Sequence, residues 1–370
     1  MAQRRRADDD PEYGLPSPSW PSALVLPERP PQLIYLDLNH WIGLGRAQKG
    51  NGSQPYIDLL ARLRAAIAAG RVRVVLTISL LREVSKIGTP AQRAELTDLM
   101  DDLSDFTYLA GLPDIFRLEL ETALDEITGT KGAEFQPVSL LGRTVLHSLG
   151  MVGGLRIMEE GVDVTQELVD SRPGFGEQLA GWERRAERAF LAGPGEDEIP
   201  GLRAGGYRPE IPQQQVRDNA AFERQWAEGI DPYRATHHIR DLVIARYLQL
   251  ELLDMLSHEL IARGLLLNQV YKDAGAGRDF ALRMPSSAVF ISLLAQYHQD
   301  PGKQWKQNDI YDIDALATAV PYCDIVLTDA AARDALVRRR LDVTMGTVLP
   351  RRPADLIAIL NGLSELAPDE

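Results

Sequence analysis

Short apolar runs and helically spaced apolar residues alternate in the first third of the chain. Residues 33–36 are apolar and end at Asp37, which predicts a buried strand. Apolar spacing predicts helices over 39–46 and 56–69, and the β-branched run over 72–78 predicts the next strand. Strands that alternate with helices favour a parallel α/β sheet.

The same alternation continues to about residue 110. Ser79 is the predicted N-cap of a helix that contains Glu83. Another helix is predicted over 90–103, and residues 106–109 are predicted to form a third strand.

Helical periodicity dominates the middle of the chain, with breaks rich in Gly and Pro, and residues 239–267 predict one long helix. The strand–helix alternation then resumes. The elements predicted there are a helix over 309–320, strands over 325–328 and 343–349, and a closing helix from Pro353.

These patterns predict four regions and an α/β fold class. Residues 1–31 are expected to be a disordered tail, because they are rich in Pro, Asp and Arg without periodicity. Residues 32–126 and 305–370 are expected to form one core of about five parallel strands flanked by helices. Residues 127–304 are predicted to be a large helical insertion between the two core parts.

Composition and charge narrow the class of protein. The chain has 370 residues, of which 45% are hydrophobic and 25% are charged, a typical globular balance. Its net charge of −13 counts against a protein that coats nucleic acid non-specifically, but not against an enzyme with local cations. The single cysteine, Cys323, excludes an internal disulfide framework. With no apolar run of about 20 residues and no signal peptide, we expect a soluble cytoplasmic protein without a membrane partner.

Acidic residues follow or flank several predicted strands. Asp37 lies at the end of a strand, where open α/β sheets bind ligands, although the same position suits a helix N-cap. Glu83 lies one turn into the next helix, facing the same sheet edge or the solvent. Asp329 follows a later strand and could join them. Asp324 enters that strand from its other end, so a structural role is expected.

Asp309 and Asp312 lie three residues apart, which places both carboxylates on one helix face. Like charges at this spacing repel, and a hard cation would offset the repulsion. Two acids at the start of a solvated helix are the simpler alternative. If the acids meet, oxygen ligands without His or Cys favour Mg²⁺ or Mn²⁺ over zinc.

The order of these motifs resembles that of the PIN-domain nucleases. The resemblance covers residues 32–126 and 305–350. Its motifs are Asp37 with Asn39, Ser79-x-x-x-Glu83, Asp312-x-x-x-Leu316-Ala317-Thr318-Ala319, and Thr328-Asp329 after an apolar run. The insertion resembles no family that we can name.

The resemblance implies a PIN-like fold and hydrolysis of RNA that leaves a 5′-phosphate. It implies that Asp37, Glu83 and Asp312 are catalytic and bind the metal. Asp329 corresponds roughly to the fourth acid, although it lies one residue earlier than in the commonest pattern. Asp309, and formally Asp324, are the alternatives for that position. A toxin or defence role with an antitoxin partner, or a homo-oligomer, is a further implication of the family.

Six residues near these motifs are candidates for contacts with RNA. Base stacking on Trp305 between two lysines would suit a single strand, although Trp305 could equally be a core anchor. The basic run that begins at Arg333 could be only a solvated face. The six candidates are Asn39, His40, Lys303, Trp305, Lys306 and Arg333.

Two other functions compete with a nuclease. A haloacid-dehalogenase-like phosphatase also begins with a strand ending in Asp, but it needs an acid where this chain has Asn39. The second alternative is a PIN-like domain that binds RNA or a protein without cutting. The glycines after Asp37 form no nucleotide-binding P-loop.

Overall fold

The computed structural model describes residues 15–132, 137–151, 155–236 and 239–365. Within these ranges the chain is mostly helical and surrounds a small parallel sheet. None of the described helices is long and apolar enough to cross a membrane.

The central sheet has three parallel strands. Strand β2 (Gln32–Leu36) lies between β3 (Val72–Val75) and β9 (Ile325–Leu327). Single parallel bridges extend it at both edges, from Leu76 to Tyr108 and from Ile325 to Val348. Five chain segments therefore lie side by side, but only three of them form ladders. The observed sheet is thus smaller than the predicted sheet of about five strands.

The remaining strands form three short pairs. They are β1 (Leu24–Val25) with β5 (Val138–Ser139), β4 (Tyr108–Leu109) with β6 (Leu141–Gly142), and β7 (Met158–Glu159) with β8 (Val162–Asp163).

The helices fall into three groups along the chain. The first group is α1 (Leu38–Gln48), α2 (Gln54–Ala68), α3 (Ile78–Val84), α4 (Pro90–Ser104) and α5 (Leu112–Thr128). The second is α6 (Val145–Ser148), α7 (Thr165–Ser171), α8 (Phe175–Ala192), α9 (Ile199–Ala204), α10 (Glu210–Gly229), a 3-10 helix (Asp231–Thr236), α11 (Ile239–Arg246), a π-helix (Tyr247–Glu251), α12 (Leu253–Arg263), α13 (Leu267–Val270), α14 (Ala274–Arg283) and α15 (Pro285–Gln299). The third is α16 (Gln307–Tyr322), α17 (Ala330–Arg338), α18 (Leu341–Met345) and α19 (Pro353–Glu365).

Alternating side chains of β2 supply two separate hydrophobic cores. Leu33 and Tyr35 point to one core, while Ile34 and Leu36 point to the other, as the period of two in a strand requires. The first core is shared with α5, α15 and α16, and the second with α1, α2, α4 and α19. Helices therefore cover both faces of the sheet, which explains its continuous apolar strands.

Helix α15 makes the predicted insertion part of the core. Most of its residues are buried, and it packs against α5, α16 and α17. Residues 127–304 therefore include an element that covers one face of the sheet. The insertion is one continuous stretch of sequence. Its last helix, α15, nevertheless packs as part of the core domain.

Two predicted elements are wrong. The single helix over 239–267 is interrupted by the π-helix and ends at Gly264, whose left-handed φ of 65° terminates α12. The strand over 343–349 is replaced by α18 and a single bridge at Val348, because Leu341 and Met345 are buried one turn apart.

Two further expectations change in detail. The helix that carries Glu83 begins before Ser79: Thr77 is its N-cap, and its hydroxyl accepts a hydrogen bond from the N–H of Leu80. Of the predicted disordered tail, residues 1–14 lie outside the described residues. The described part is ordered instead, since Leu24 is buried and β1 pairs with β5.

A buried carboxylate connects three core helices. Glu119 of α5 accepts hydrogen bonds from the N–H and hydroxyl of Ser286 on α15 and from the hydroxyl of Tyr322 on α16. Burial raises the pKa of Glu119 to about 7. These bonds fix the end of α16 relative to the two helices beside it.

We expect Glu119→Ala to destabilise the protein by about 3 kcal/mol or more, because it leaves several buried donors without an acceptor. Urea unfolding at 25 °C measures the change. Glu95→Ala is the matched control: Glu95 forms an exposed ion pair with Lys49, and its loss should cost about 1 kcal/mol or less. Equal losses in the two variants would contradict a structural role of the Glu119 network.

Candidate metal centre

Asp37 lies at the carboxyl end of the central strand and begins α1. Its N–H donates to the carbonyl oxygen of Leu327 at the end of the neighbouring strand. Its carboxylate accepts a weak hydrogen bond of 3.3 Å from the N–H of Asn39 and thereby caps α1. The two predicted roles are compatible, because capping occupies only one carboxylate oxygen.

Glu83 approaches the same sheet edge from α3. This helix starts directly after β3 and packs against α16. The side chain of Glu83 is buried, with 6% exposure. A glutamate with this little exposure is unusual unless it is paired or has a ligand, so the alternative of an exposed surface residue is wrong.

Asp312 on α16 completes a cluster of three acids, which we call the acidic triad. One carboxylate oxygen from each of Asp37, Glu83 and Asp312 lies within 4.8 Å of the other two. These residues come from three elements that are far apart in sequence. The distances are compatible with shared coordination of a divalent cation.

Burial and mutual repulsion raise the pKa values of the triad. Burial raises the pKa of Asp37. Burial, with the charge of Asp37, raises the pKa of Glu83 to about 7. Burial and the charges of Asp37 and Glu83 raise the pKa of Asp312 to about 9. At neutral pH the protein therefore retains protons at positions where carboxylates are normally ionised.

Two of the three triad carboxylates, those of Glu83 and Asp312, lack a hydrogen-bond or ion-pair partner within the described residues. Neither Glu83 nor Asp312 accepts a hydrogen bond or forms an ion pair through its carboxylate there. Buried carboxylates usually have such partners, or they bind a metal. Three oxygen donors without His or Cys fit a hard divalent cation such as Mg²⁺ or Mn²⁺.

The structure separates the three alternatives for a fourth acid. The charge of Asp329 adds to burial in raising the pKa of Asp37. The carboxylate of Asp329 caps α17, accepting from the N–H groups of Ala331 and Ala332 at 2.7 and 3.1 Å. Asp309 accepts from Lys303 Nζ at 2.7 Å and from the N–H of Lys306. Both lie outside the triad of mutually close oxygens.

Asp324 has the predicted structural role. Its carboxylate accepts from the N–H of Leu33 at 2.6 Å and pairs with Arg29. It lies at the opposite end of β9 from Asp329. Asp324 therefore fixes the entry of two strands and is not a candidate ligand.

The predicted substrate contacts beside Asp37 differ in accessibility. Asn39 is exposed. His40 is buried, and its Nδ1 lies 2.9 Å from the hydroxyl of Tyr56. Burial lowers the pKa of His40, which keeps its ring neutral at pH 7. Asn39 is thus free to meet a substrate, whereas His40 is mainly a packing residue.

Trp305 is a core residue, and the prediction that a base stacks on it is wrong. Its ring is buried, with ring centroids 4.7 Å from His298 and 5.8 Å from Tyr297. Lys303 is held by Asp309, which leaves Lys306 as the exposed lysine. The predicted contact Arg333 donates to the carbonyl oxygen of Leu349 and pairs with Asp334, so its guanidinium holds the segment that precedes α19.

The prediction missed two residues beside the triad. Lys86 donates to Asn308 at 3.1 Å, lies 4.0 Å from the Tyr311 ring centroid, and interacts electrostatically with Glu83. Its position three residues after Glu83 was an available signal. The second is Tyr297 of α15. Burial raises its pKa, and the charges of Asp329 and Asp312 add to the rise; no local sequence pattern marks this residue.

Comparisons of this chain with protein-family models, with curated proteins and with solved structures give no match. The resemblance to PIN-domain nucleases therefore stays a prediction.

We expect the metal-free protein to lose stability as pH rises from about 5 to 9. The pKa values of Glu83 and Asp312 are raised in the folded state, to about 7 and about 9. The folded state therefore holds protons that the unfolded state releases near pH 4, and this stabilisation disappears as pH rises. Thermal midpoints measured with a chelator should decline across this window. Asp312→Asn should flatten the decline, and the exposed control Asp254→Asn should not; identical slopes would count against the shifts.

We also expect Mn²⁺ to bind more tightly as pH rises from 6 to 9, because binding displaces protons from the triad. Isothermal titration in buffers of different ionisation enthalpy measures both affinity and proton release. Asp37→Asn, Glu83→Gln and Asp312→Asn should each weaken binding by at least about tenfold. Asp254→Asn should leave it unchanged. Binding that is independent of pH, or that survives all three triad changes, would show that the ion binds elsewhere.

Proposed function

We propose that this protein is a metal-dependent nuclease that hydrolyses RNA phosphodiester bonds. The observation that carries the proposal is the acidic triad: three carboxylates that form no ion pair within the described residues, gathered at the carboxyl edge of a parallel sheet. This edge is where open α/β sheets place their ligand sites. The triad residues are also the ones that correspond, in order, to the PIN-like motifs.

A bound Mg²⁺ or Mn²⁺ would supply an activated water and would neutralise the charge that develops during phosphodiester hydrolysis. The role of Asp37, Glu83 and Asp312 is to hold the cation in a fixed position. Asp37 is best anchored, since strand pairing and capping fix both its backbone and its side chain. Asp329 acts on the triad through its charge while capping α17.

Local cations make a phosphate substrate compatible with the acidic chain. Lys86 lies beside Glu83 and Asp312, so its ammonium group is suitably placed for a phosphate oxygen. Lys306 and Asn39 are exposed near the helices that carry the triad. Loading the triad with a divalent cation also removes much of its negative potential. RNA as the substrate, with an antitoxin or a second copy as partner, follows from the resemblance.

The phosphatase alternative lacks support at the same site. It requires an acid two residues after Asp37, and Asn39 is instead an exposed amide. The alternative of a non-cutting PIN-like module differs from the nuclease only in activity. Retention of all three acids favours catalysis.

We expect labelled RNA to be cleaved in the presence of Mn²⁺ or Mg²⁺ and to carry 5′-phosphate ends. Asp37→Asn and Asp312→Asn should each lower the rate by at least about a hundredfold, because each removes a ligand of the ion. Asp254→Asn is the control and should cleave like the wild type.

Cleavage that survives both triad changes would refute the assignment. If neither ion supports cleavage, a gel-shift assay with the same RNA distinguishes a binding module from a protein with no affinity for RNA.

A further inference from the structure

A cavity lies on the opposite side of α16 from the acidic triad. It has a volume of about 400 Å³, which lies in the usual range for small-molecule sites. Helices α10 and α11 and the π-helix form one side, and α15 and α16 form the other. Its apolar lining consists of Phe222, Leu250, Phe290, Leu294, Ile310 and Ile313.

The polar part of the lining contains three acidic residues and one basic residue. Arg246 donates to both carboxylate oxygens of Glu223, at 2.8 and 2.6 Å, and also contacts Glu251 at 3.3 Å. Asp314 forms no hydrogen bond or ion pair through its carboxylate within the described ranges; burial raises its pKa to about 7, and the charge of Arg82 opposes that rise. Two of the three carboxylates in the cavity wall therefore share one guanidinium, and Asp314 forms no ion pair there within the described ranges.

The π-helix contributes directly to this wall. The N–H of Leu252 donates to the carbonyl oxygen of Tyr247, five residues earlier. This wider turn brings Glu251 to the same side as Arg246, whereas an α-helix would separate residues five apart by about 140°. Short π-helical turns inside helices are frequent at functional sites. The turn thus adds an apolar residue, Leu250, and an acid to one cavity.

The guanidinium of Arg246 is buried among aromatic rings in the cavity wall. The guanidinium of Arg246 is only 6% exposed, and its Nε–H has no partner among the described residues. Its Cζ lies 5.3 Å from the ring centroid of Phe222 and 4.7 Å from that of Trp226. The ring of Phe222 therefore already faces one cation, and Phe290 adds a second aromatic ring to the lining.

We propose that this cavity binds an organic monocation with an apolar body, such as an arylalkylammonium ion. The apolar lining would cover the body, and Asp314 with Glu251 would receive the ammonium group. The negative lining repels phosphates, so this site is not a channel for RNA. The proposal does not depend on the nuclease assignment.

Three probes of similar shape and different charge test the proposal. These are 3-phenylpropylamine, 3-phenylpropan-1-ol and 3-phenylpropanoate, titrated calorimetrically at pH 8, where Asp314 is mostly ionised, without divalent ions. We expect the amine to bind at least about tenfold more tightly than the alcohol, because its ammonium group forms a charged hydrogen bond that the hydroxyl cannot form. The carboxylate should not bind. Equal binding of amine and alcohol, or preferred binding of the carboxylate, would overturn the proposal.

Substitutions locate the binding to the cavity. Asp314→Asn and, separately, the more exposed Glu251→Gln should each weaken amine binding by about tenfold. Neither should alter any weak affinity for the alcohol, which a loss of fold would abolish. Asp254→Asn, an exposed acid of α12 outside the cavity, is the matched control. Amine binding that is unchanged in both cavity variants, or weakened equally in the control, would show a non-specific interaction with the acidic surface.

Discussion

Electrostatic repulsion among the three carboxylates of the acidic triad is the constraint on which the rest of the structure depends. Their oxygens lie within 4.8 Å of one another. At this separation each ionised pair repels by roughly 3 kcal/mol, with an effective dielectric constant of about 20. The fold can tolerate the cluster in two ways: by retaining protons, as the raised pKa values of Glu83 and Asp312 indicate, or by binding a cation.

Such a cluster requires a framework that cannot relax by moving the acids apart. Asp37 is fixed by the pairing of its strand with β9, and α3 is fixed by the Thr77 cap. Helix α16 is fixed at its far end, where Tyr322 donates to the buried Glu119. Since Glu119 also accepts from α15, the last helix of the insertion contributes to the rigidity of the site. The insertion is therefore part of the support of the triad.

The sequence predicted that Asp37, Glu83 and Asp312 meet, but it also counted Asp309 and Asp329 among the ligands, and both lie outside the triad. The carboxyl ends of parallel strands share one edge, so acids after β2 and in the helix after β3 were expected to meet. The prediction of a strand over 343–349 was wrong. It followed the β-branched residues there and ignored Gly346, whose φ of 72° ends α18. The burial of Trp305 against His298 depends on packing between distant elements, which periodicity does not encode.

Helix α16 presents acids to two different environments, and the environments favour different cations. Asp312 and Asp314 leave the helix about 200° apart, so one meets two carboxylates and the other meets a mostly apolar cavity. A cluster of oxygen ligands can replace the tightly held water of a small divalent ion. Apolar walls cannot, and they favour a large, weakly hydrated cation whose body they cover. The surroundings of each aspartate, rather than the carboxylate itself, therefore determine which class of cation it can bind.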